Sequence, residues 1–318
     1  MLGRGSQTWL PLHDTIHVAM VAWDKVKVLA GAILMGAILL FYVNIFLPRF
    51  IPPYLRLGVP PHATHVLLIG SDFTYDRVTH QIAGHTRGRS DTIMLIQLNP
   101  LEDRVNILSI PRDTFVTIPG YGQRKINAAF SLGGLDLCKR TVTAFTGIPI
   151  HHTVVVNPYG LAKVVDTMGG MWIDVEKDMH YVDHWGHLYI DLKKGRQKLS
   201  GDQVQGYLRF RQEARGDLGR IERQQNFISV LAKNVARPLV FWRAPSVIKT
   251  LRNAIYSDLS SSELLRIANF LRHTASDSFH FHTVPGHTMV GQDGASLYGA
   301  DWAELEIMLE KDFGGVGL

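Results

Sequence analysis

Apolar residues beyond position 63 fall in short runs bounded by turn residues. Three of these runs are nearly continuous, at 64–72, 91–99 and 103–113. Such runs are typical of strands that are buried on both faces of a sheet. Four further elements follow. They are two helices, over 127–146 and from Pro158 to Gly169, and two strands, over 151–157 and 171–175. The pattern predicts an α/β domain, an α-β-α sandwich with a mixed central sheet covered by helices on both faces.

Two later helices are predicted from their N-terminal signals. The stretch "LSGDQVQGYLRFR" opens with Ser200 and Gln203 at capping-box spacing, so a helix begins there. Arg209 and Arg211 then fall near its C-terminus. Asp217 is a good N-cap for the next helix. The apolar stripe of that helix, over 218–235, is Ile221, Ile228, Leu231 and Val235.

The segment 28–47, "VLAGAILMGAILLFYVNIFL", has no charge and a single amide. At about 1.5 Å per residue it spans roughly the 30 Å hydrocarbon core of a bilayer, which predicts one N-terminal transmembrane helix. No small-residue cleavage site follows, so we interpret the segment as an uncleaved signal-anchor. A proline-rich linker occupies 48–63. Lysines precede the segment and arginines follow it, so the positive-inside rule leaves the orientation open.

Composition limits the class of protein. The 318 residues are 46% hydrophobic and 19% charged, as in globular rather than disordered proteins. The pI near 9.3 suits an anionic partner. We expect no nucleic-acid partner, because the basic residues lack the interleaved aromatic residues that stack on bases. The single Cys138 excludes an internal disulfide.

The connection "NPLED" between the second and third strands is short enough to require an antiparallel hairpin. That hairpin places Arg112 beside Arg89 and Asp91. If the first strand is also antiparallel to the second, Asp72 reaches the same edge of the sheet. Carboxylates among cations suit Mg²⁺, which takes one or two carboxylates together with phosphate oxygens. The alternative is that Asp72 caps a turn and Asp91 caps a strand.

Residues 209–225, "RFRQEARGDLGRIERQQ", hold five arginines against three acids. Arg220 and Arg223 fall in the first two turns of a predicted helix, where the positive end of the helix dipole disfavours cations. A bound anion would explain them, because arginine binds phosphate bidentately and a helix start offers free N–H groups. A phosphate or pyrophosphate clamp is therefore favoured over a solvated charged face.

Several motifs stand in one order along residues 64–235: "LLIGSD", "GRSDTIMLIQLN", "LSIPRDTFVTIPG", "KINAAFSLGG", "VVDTMGG" and "RGDLGRIERQQ". Together they resemble the LytR-CpsA-Psr family. The resemblance implies a membrane-anchored phosphotransferase that moves a glycopolymer from a polyprenyl-pyrophosphate carrier to peptidoglycan in the cell wall, with Mg²⁺ as cofactor. It also implies that residues 1–27 are cytoplasmic and that 64–318 form an extracytoplasmic catalytic domain. Membrane lipid is then a further partner of the protein.

The resemblance further implies roles for single residues. Asp72 and Asp91 are the metal-side aspartates. The residues implied in pyrophosphate binding are Arg89, Arg112, Arg209, Arg211, Asp217, Arg220 and Gln224. The residues expected to be catalytic are Arg89, Asp91, Arg112 and Arg220. The general base stays open, since either aspartate would be a poor base while it binds a metal. Arg215 is left out of the set.

Two rival functions stay open at this point. A non-catalytic polyprenyl-pyrophosphate binder or a membrane-bound regulator would keep the arginines, but it has no need of the two aspartates. A lipid-carrier pyrophosphatase would use the same residues with water as the acceptor. The presence of both Asp72 and Asp91 favours an enzyme.

Two further features carry hypotheses. The prenyl chain needs an apolar groove, and the helix over 127–146 offers apolar residues for its wall, although such residues more often form ordinary core. They are Ala128, Ala129, Phe130, Leu132, Val142 and Phe145. The segment "HYVDHWGH" places His180, His184 and His187 close together, as in some zinc sites. Its loop-and-strand pattern argues against a metal there.

Overall fold

The computed structural model describes residues 60–71, 90–183, 188–210, 216–235, 246–247, 249–250, 254–291 and 294–314, together with residue 35. The chain divides into two compact units, Met1–Leu57 and Gly58–Leu318. Apart from Met35, which is helical and exposed, the predicted membrane span over 28–47 lies outside the described residues. Within the described ranges, no helix is both long and apolar enough to cross a membrane.

The strands are β1 Thr64–Ser71, β2 Ser90–Asn99, β3 Arg104–Ile110, β4 Phe115–Ile118, β5 Gly122–Lys125, β6 His152–Val156, β7 Met171–Val175, β8 Met179–Asp183, β9 Leu188–Leu192, β10 Gly195–Leu199, β11 Ile255–Ser257, β12 Phe279–Thr283, β13 Gly286–Val290 and β14 Ser296–Ala300. The helices are α1 Ala128–Thr146, α2 Pro158–Thr167, α3 Gly201–Arg209, α4 Gly216–Val235, α5 Ser261–His273 and α6 Trp302–Phe313. The elements predicted from the apolar pattern are present, with bounds that differ by a few residues.

The central sheet has the strand order β11-β6-β1-β2-β3-β12. Strands β1, β2 and β3 are antiparallel neighbours, whereas β6 runs parallel to β1 and β12 parallel to β3. The predicted hairpin between the second and third strands is therefore confirmed, and so is the mixed sheet. Because β1 is antiparallel to β2, the C-terminal end of β1 lies beside the N-terminal end of β2.

Alternate strand residues pack on opposite faces of this sheet. We call the first side the closed face; its strand residues include Leu67, Ile69, Ile93, Leu95 and Leu108, and they form one core with α1 and α6. We call the other side the open face; its strand residues include Val66, Leu68, Met94 and Ile107, and they pack against α5 and against Ile228 of α4. Helices thus cover both faces, as the continuous apolar runs predict.

A further apolar cluster lies where α2, α3 and the strands β7 to β10 meet. The backbone N–H of Gly201 donates to Asp166 Oδ1 at 2.8 Å, which joins the start of α3 to α2. A Cβ at Gly201 would stand 2.2 Å from the carbonyl oxygen of Ala162, so only glycine allows this approach. The contact sets the position of α3, whose last residue is Arg209.

The two arginine-bearing helices begin differently. Helix α3 has Ser200 as its N-cap, with the full capping box to Gln203, as predicted. Helix α4 begins at Gly216, so the prediction of Asp217 as its N-cap is wrong: Asp217 lies within the first turn. An acid in the first turn is favoured by the helix dipole just as an acid at the cap is, so the two arrangements produce similar sequences.

A buried polar chain ties α6 to the closed face of the sheet. Gln97 Nε2 lies 3.1 Å from His65 Nε2 and donates to the carbonyl oxygen of Phe313 at 2.9 Å, and Asn106 Nδ2 donates to Gln97 Oε1 at 2.9 Å. His65 Nδ1 lies 2.9 Å from the carbonyl oxygen of Pro149. These partners require a neutral ring that carries its proton on Nδ1. Burial lowers the pKa of His65, as does the nearby His151 to a smaller extent.

Candidate anion-binding site

Asp91 and Arg112 meet at one edge of the sheet because of the β2–β3 register. Ile93 pairs with Ile110 in an antiparallel register. Asp91, two residues before Ile93, therefore faces Arg112, two residues after Ile110. Arg112 Nη1 donates to Asp91 Oδ1 at 2.5 Å. Both side chains are only partly exposed, 31% for Asp91 and 26% for Arg112. The predicted adjacency of this carboxylate and this arginine is confirmed.

The end of β1 reaches the same edge. Ser71 pairs with Ser90 after a register shift that follows Gly70. A Cβ at Gly70 would stand 2.9 Å from Thr92 Cβ, so glycine permits the close approach of the two strands here. The other two residues predicted for this edge, Asp72 and Arg89, lie outside the described residues.

The Arg112 side chain has a second acid beside it, which sequence reasoning missed. Arg112 Nε lies 3.6 Å from Asp113 Oδ2, and Lys125 Nζ donates to Asp113 Oδ1 at 2.8 Å. Lys125 arrives on the β4–β5 hairpin, in which it pairs with Phe115. Asp113 follows Arg112 directly in sequence, but its contact with Lys125 depends on how that hairpin folds back.

Helix α4 brings Arg220 to this edge. The side chain of Arg220 is 2% exposed, and its Nη2 donates to the backbone carbonyl oxygen of Asp91 at 3.0 Å. Arg209, at the C-terminal end of α3, and Gln224, one turn after Arg220, line the same cavity. Arg211 lies outside the described residues, as does the excluded Arg215.

Arg223 belongs to the supporting structure. It is 3% exposed; its Nη1 donates to Glu176 Oε1 at 3.1 Å and its Nη2 to the carbonyl oxygen of Phe210 at 2.5 Å. Tyr207 Oη also donates to Glu176, at 3.3 Å, and burial raises the pKa of Tyr207 to about 12. Arg223 therefore holds the residue that follows α3 against α4, and the five arginines of 209–225 do not act as one group.

The neighbouring glutamines Gln224 and Gln225 also point to different places. Gln224 lines the cavity. Gln225 Nε2 donates to Ser109 Oγ at 2.9 Å and to the carbonyl oxygen of His282 at 3.2 Å, which fastens α4 to β3 and β12. Gln224, which the family resemblance implies as a site residue, therefore faces the cavity, whereas Gln225 joins α4 to the sheet.

A cavity of about 530 Å³ opens beside these residues. Its charged and amide lining residues are Asp91, Asp183, Gln205, Arg209, Arg220 and Gln224. Its apolar lining comes from the open face and from three helices, and includes Leu68, Met94, Leu161, Leu208, Phe227 and Leu231. Because cations and apolar side chains line one space, the cavity suits an amphiphile with an anionic head and an apolar chain.

Of the two interpretations of α1, ordinary core is confirmed and the wall of an apolar groove is not. Ala129, Phe130, Val142 and Phe145 are buried in the closed-face core, on the other side of the sheet from the cavity. Amphipathic spacing shows that a helix buries one face, but it does not distinguish a sealed core from the wall of a cavity.

The histidine segment forms no metal site in the part of the chain that the structure describes. His180 is exposed on β8, and its Nδ1 lies 3.7 Å from Asp191 Oδ1 on β9. His184 and His187 lie outside the described residues. Among the described residues, no group of three or more His, Cys, Asp or Glu side chains could hold a metal ion.

The fold and the cavity define the class: an α/β protein with a largely apolar cavity into which two helices bring arginines. The chain belongs to the LytR_cpsA_psr family, whose model matches residues 60–313. The family predicted from the sequence motifs is thus confirmed.

Relatives and solved structures agree with this membership. The chain is 32% identical over 235 residues to a polyisoprenyl-teichoic acid–peptidoglycan teichoic acid transferase, TagU, of Bacillus mycoides, covering 73% of this chain and 72% of that protein. It is 34% identical over 182 residues to the regulatory protein MsrR of Staphylococcus aureus, covering 57% of this chain and 54%, about half, of that protein's length. The crystal structure of TagV from B. subtilis superposes with a TM-score of 0.69 at 25% identity, covering 81% of this chain and all of that one.

Proposed function

We propose that the protein transfers a glycopolymer from a polyprenyl-pyrophosphate carrier to peptidoglycan, as an enzyme of the bacterial cell envelope. The observation that carries the proposal is the cavity of about 530 Å³, in which two helix arginines, Arg209 and Arg220, adjoin an apolar interior. A polyprenyl diphosphate has the same division between a charged head and a long apolar chain. The name of the B. mycoides relative, which gives a polyisoprenyl-linked donor and a peptidoglycan acceptor, supports the same reaction.

The binding step assigns the diphosphate to the arginines. Arg209 and Arg220 line the cavity from two helices, and Arg112 lies beside Asp91 at the sheet edge. Guanidinium groups bind phosphate oxygens bidentately. The prenyl chain then lies along the apolar lining of α2, α3 and α4. Arg89 and Arg211, which lie outside the described residues, are proposed to complete the set, with Asp217 in the first turn of α4.

The transfer step is a phosphoryl-type displacement. An acceptor hydroxyl of peptidoglycan forms a new P–O bond to the sugar-side phosphorus as it loses its proton. The bond from that phosphorus to the bridging oxygen breaks, and prenyl monophosphate leaves. Arg112 and Arg220 stabilise the negative charge that develops on the leaving phosphate, an effect that typically contributes about 10²–10³ in rate for one well-placed donor.

Mg²⁺ is proposed at Asp91, with Asp72 as the second carboxylate. The donor set fits, because Mg²⁺ is commonly held by one or two carboxylates together with phosphate oxygens and water, rather than by a complete protein cage. Asp91 lines the cavity, and its carboxylate is partly exposed beside the proposed diphosphate site. When bound, the ion supplies charge neutralisation and Lewis-acid activation of the phosphoryl group.

The location proposed for the enzyme is the outer surface of the cell membrane. The apolar segment 28–47 would cross the bilayer once, with 1–27 inside and the catalytic domain outside. A carrier lipid that remains in the bilayer could then reach the cavity. External protease should digest the large domain on spheroplasts, and its full protection there would contradict this orientation.

The full-length protein in lipid nanodiscs, incubated with a prenyl-diphosphate-linked glycan and peptidoglycan fragments, tests the function. We expect glycan to become covalently attached to the fragments, with release of prenyl monophosphate, only when Mg²⁺ is present. Release of free phosphorylated glycan without attachment would indicate a pyrophosphatase. Tight binding without turnover would indicate the binder or regulator that the name of the S. aureus relative suggests.

Asp91→Ala separates the metal role from a structural role. The Asp91–Arg112 pair is partly exposed, so its loss should cost about 1 kcal/mol of stability or less. Mg²⁺-dependent transfer should nevertheless be abolished. Asp174→Ala, which removes an exposed carboxylate on β7 outside the cavity, is the control and should transfer normally. If Asp91→Ala melts like the wild type and retains activity, the metal assignment is wrong.

A further inference from the structure

One amide in the cavity wall, that of Gln205, takes no part in the binding and transfer steps described above. Gln205 of α3 lines the cavity together with Leu208 and Arg209 of the same helix. Its Nε2 is fully buried and has no hydrogen-bond partner among the described residues. A buried amide without a partner is destabilising, because the group has left water and gained nothing in exchange.

An apolar residue at position 205 would avoid this loss of stability. Leu161, Leu208, Phe227 and Leu231 make much of the surrounding lining apolar, so an unbranched apolar side chain would continue the wall. Gln205 lines the cavity, so a rotation of its side-chain amide would offer this donor, which lacks a partner among the described residues, to an acceptor atom on whatever fills the cavity. Such a ligand must place an oxygen acceptor beside the Gln205 amide.

Helix spacing gives the position of the Gln205 amide relative to the arginines. Gln205 precedes Arg209 by four residues on α3, and Gln224 follows Arg220 by four residues on α4. Residues four apart lie on the same face of a helix, separated by about 6 Å along its axis. Arg209 lies at the end of α3 and Arg220 near the start of α4, and residues 210–215 connect these two helix ends. Gln205 and Gln224 each lie one helical turn farther from that connection. Each helix thus offers a guanidinium first and an amide second.

Beyond Gln224, the cavity-facing positions of α4 are apolar: Phe227, Ile228 and Leu231. The order along this wall is therefore arginine, amide, apolar side chain. In a prenyl diphosphate whose chain lies on the apolar positions, the lipid-side phosphate comes next to the chain. The lipid-side phosphate is therefore closer to the two amides, and the sugar-side phosphate is farther from them.

We propose that Gln205 is a further substrate-binding residue, whose Nε2–H donates to an oxygen of the lipid-side phosphate of a prenyl diphosphate. The inference rests on the proposed function, because it requires that ligand in the cavity. It adds a donor from α3 opposite Gln224 of α4, so the two helices hold the inner phosphate from both sides. A sugar oxygen is the competing acceptor, and in this orientation it would lie beyond both phosphates, farther from the amides than the arginines are.

The test compares Gln205→Met and Gln205→Glu with the wild type in the full-length protein. Methionine keeps the length and the unbranched shape but has no donor, and glutamate keeps the shape but adds a charge that repels phosphate. The probes are a short-chain prenyl diphosphate without sugar and the same diphosphate carrying one sugar. Gln123→Met, the same chemical change on the exposed β5 strand, is the control.

We expect Gln205→Met to bind the sugar-free diphosphate roughly 10- to 100-fold more weakly, the range for a hydrogen bond to a charged group. Gln205→Glu should bind more weakly still. The melting temperature of the empty Gln205→Met protein should equal or exceed that of the wild type, because an unsatisfied buried amide is gone. Gln123→Met should bind as the wild type does.

Each other outcome has one meaning. If the wild type itself fails to bind the diphosphate, the proposed function fails. If the wild type binds but Gln205→Met binds equally well, the assignment of Gln205 is wrong and the function stands. If Gln205→Met weakens binding only of the sugar-bearing probe, the acceptor is a sugar oxygen and the phosphate assignment is overturned.

Discussion

The two faces of the central sheet use similar strand residues but end in different environments. On the closed face, Leu67, Leu95 and Leu108 are fully buried, and α1 and α6 seal them. On the open face, Leu68 and Met94 belong to the cavity lining. Sealed apolar side chains contribute directly to stability, whereas those that line a cavity are available to a ligand.

The helices over each face account for this difference. The residues that α1 places on the sheet are largely apolar, and its Leu137 and Val142 are at most 1% exposed. Helices α3 and α4 instead present Gln205, Arg209 and Arg220 to the cavity. Buried polar and charged groups need hydrogen-bond partners, which an apolar core does not supply, so these residues suit the wall of a ligand cavity better than a sealed core. The comparison predicts that mutations on the closed face alter stability and that mutations in the cavity lining beside the open face alter binding.

The largest effect is expected on the closed face. Leu137→Ala removes a side chain that is 1% exposed within the core, and such truncations typically cost about 2–5 kcal/mol. The free energy of unfolding, measured by urea denaturation, should fall by that amount. Leu101→Ala, in a turn where the leucine is 60% exposed, is the control and should change stability by about 0.5 kcal/mol or less. Equal effects of the two changes would show that the closed face is not sealed.

The next effect separates the two buried arginines of α4. Arg220→Ala should weaken prenyl-diphosphate binding by one to two orders of magnitude, since a charge-assisted hydrogen bond contributes about 1.5–3 kcal/mol. Arg223→Ala should leave binding by the folded protein near the wild-type value, but it should lower the free energy of unfolding by about 1–3 kcal/mol, because the carbonyl of Phe210 loses its donor.

Titration calorimetry paired with thermal melts distinguishes the two arginine variants. Lysine at position 220 should restore binding only in part, because a point charge does not reproduce a bidentate fork. If Arg220→Ala binds the diphosphate as tightly as the wild type does, the arginine clamp is disproved, and Arg220 has only the structural role of its hydrogen bond to the carbonyl oxygen of Asp91.

A smaller effect is expected in the apolar part of the cavity. Leu231→Ala removes a side chain that lines the space, so it should weaken binding of a prenyl diphosphate by about 1–2 kcal/mol. Binding of inorganic pyrophosphate, which has no chain, should stay unchanged. Stability should fall by less than in Leu137→Ala, because Leu231 is only partly buried. An equal loss of affinity for both ligands would contradict an apolar chain site here.

The smallest effect concerns pH and the closed face. The pKa of His65 is lowered from its ordinary 6.5 by burial, so the unfolded chain binds a proton more readily than the folded chain does. Stability from this group is complete above about pH 6.5 and declines as the pH falls below that value toward the folded-state pKa. Urea midpoints measured between pH 7.5 and 5 should show the decline, and His65→Leu should flatten it. An unchanged slope in that variant would assign the pH dependence to other groups.

Much of the architecture and part of the site could be predicted from sequence because the signals are local. The continuous apolar runs predicted a sheet covered on both faces, and the short "NPLED" connection predicted the hairpin that joins Asp91 to Arg112. The capping box at Ser200 placed Arg209 at a helix end. Turn length, strand register and helix caps involve residues close in sequence, so their geometry follows from the chain itself.

Tertiary structure decided which of several similar residues reach the cavity. Arg220 and Arg223 stand three residues apart on one helix, yet only Arg220 lines the cavity, while Arg223 meets Glu176 of a distant segment. Likewise, the amphipathic pattern of α1 matched a cavity wall as well as a sealed core, until α6 closed that face of the sheet. Helix period specifies that a side is buried, whereas the partner on that side comes from residues far away in sequence. The role of each arginine therefore depends on long-range packing that no local pattern contains.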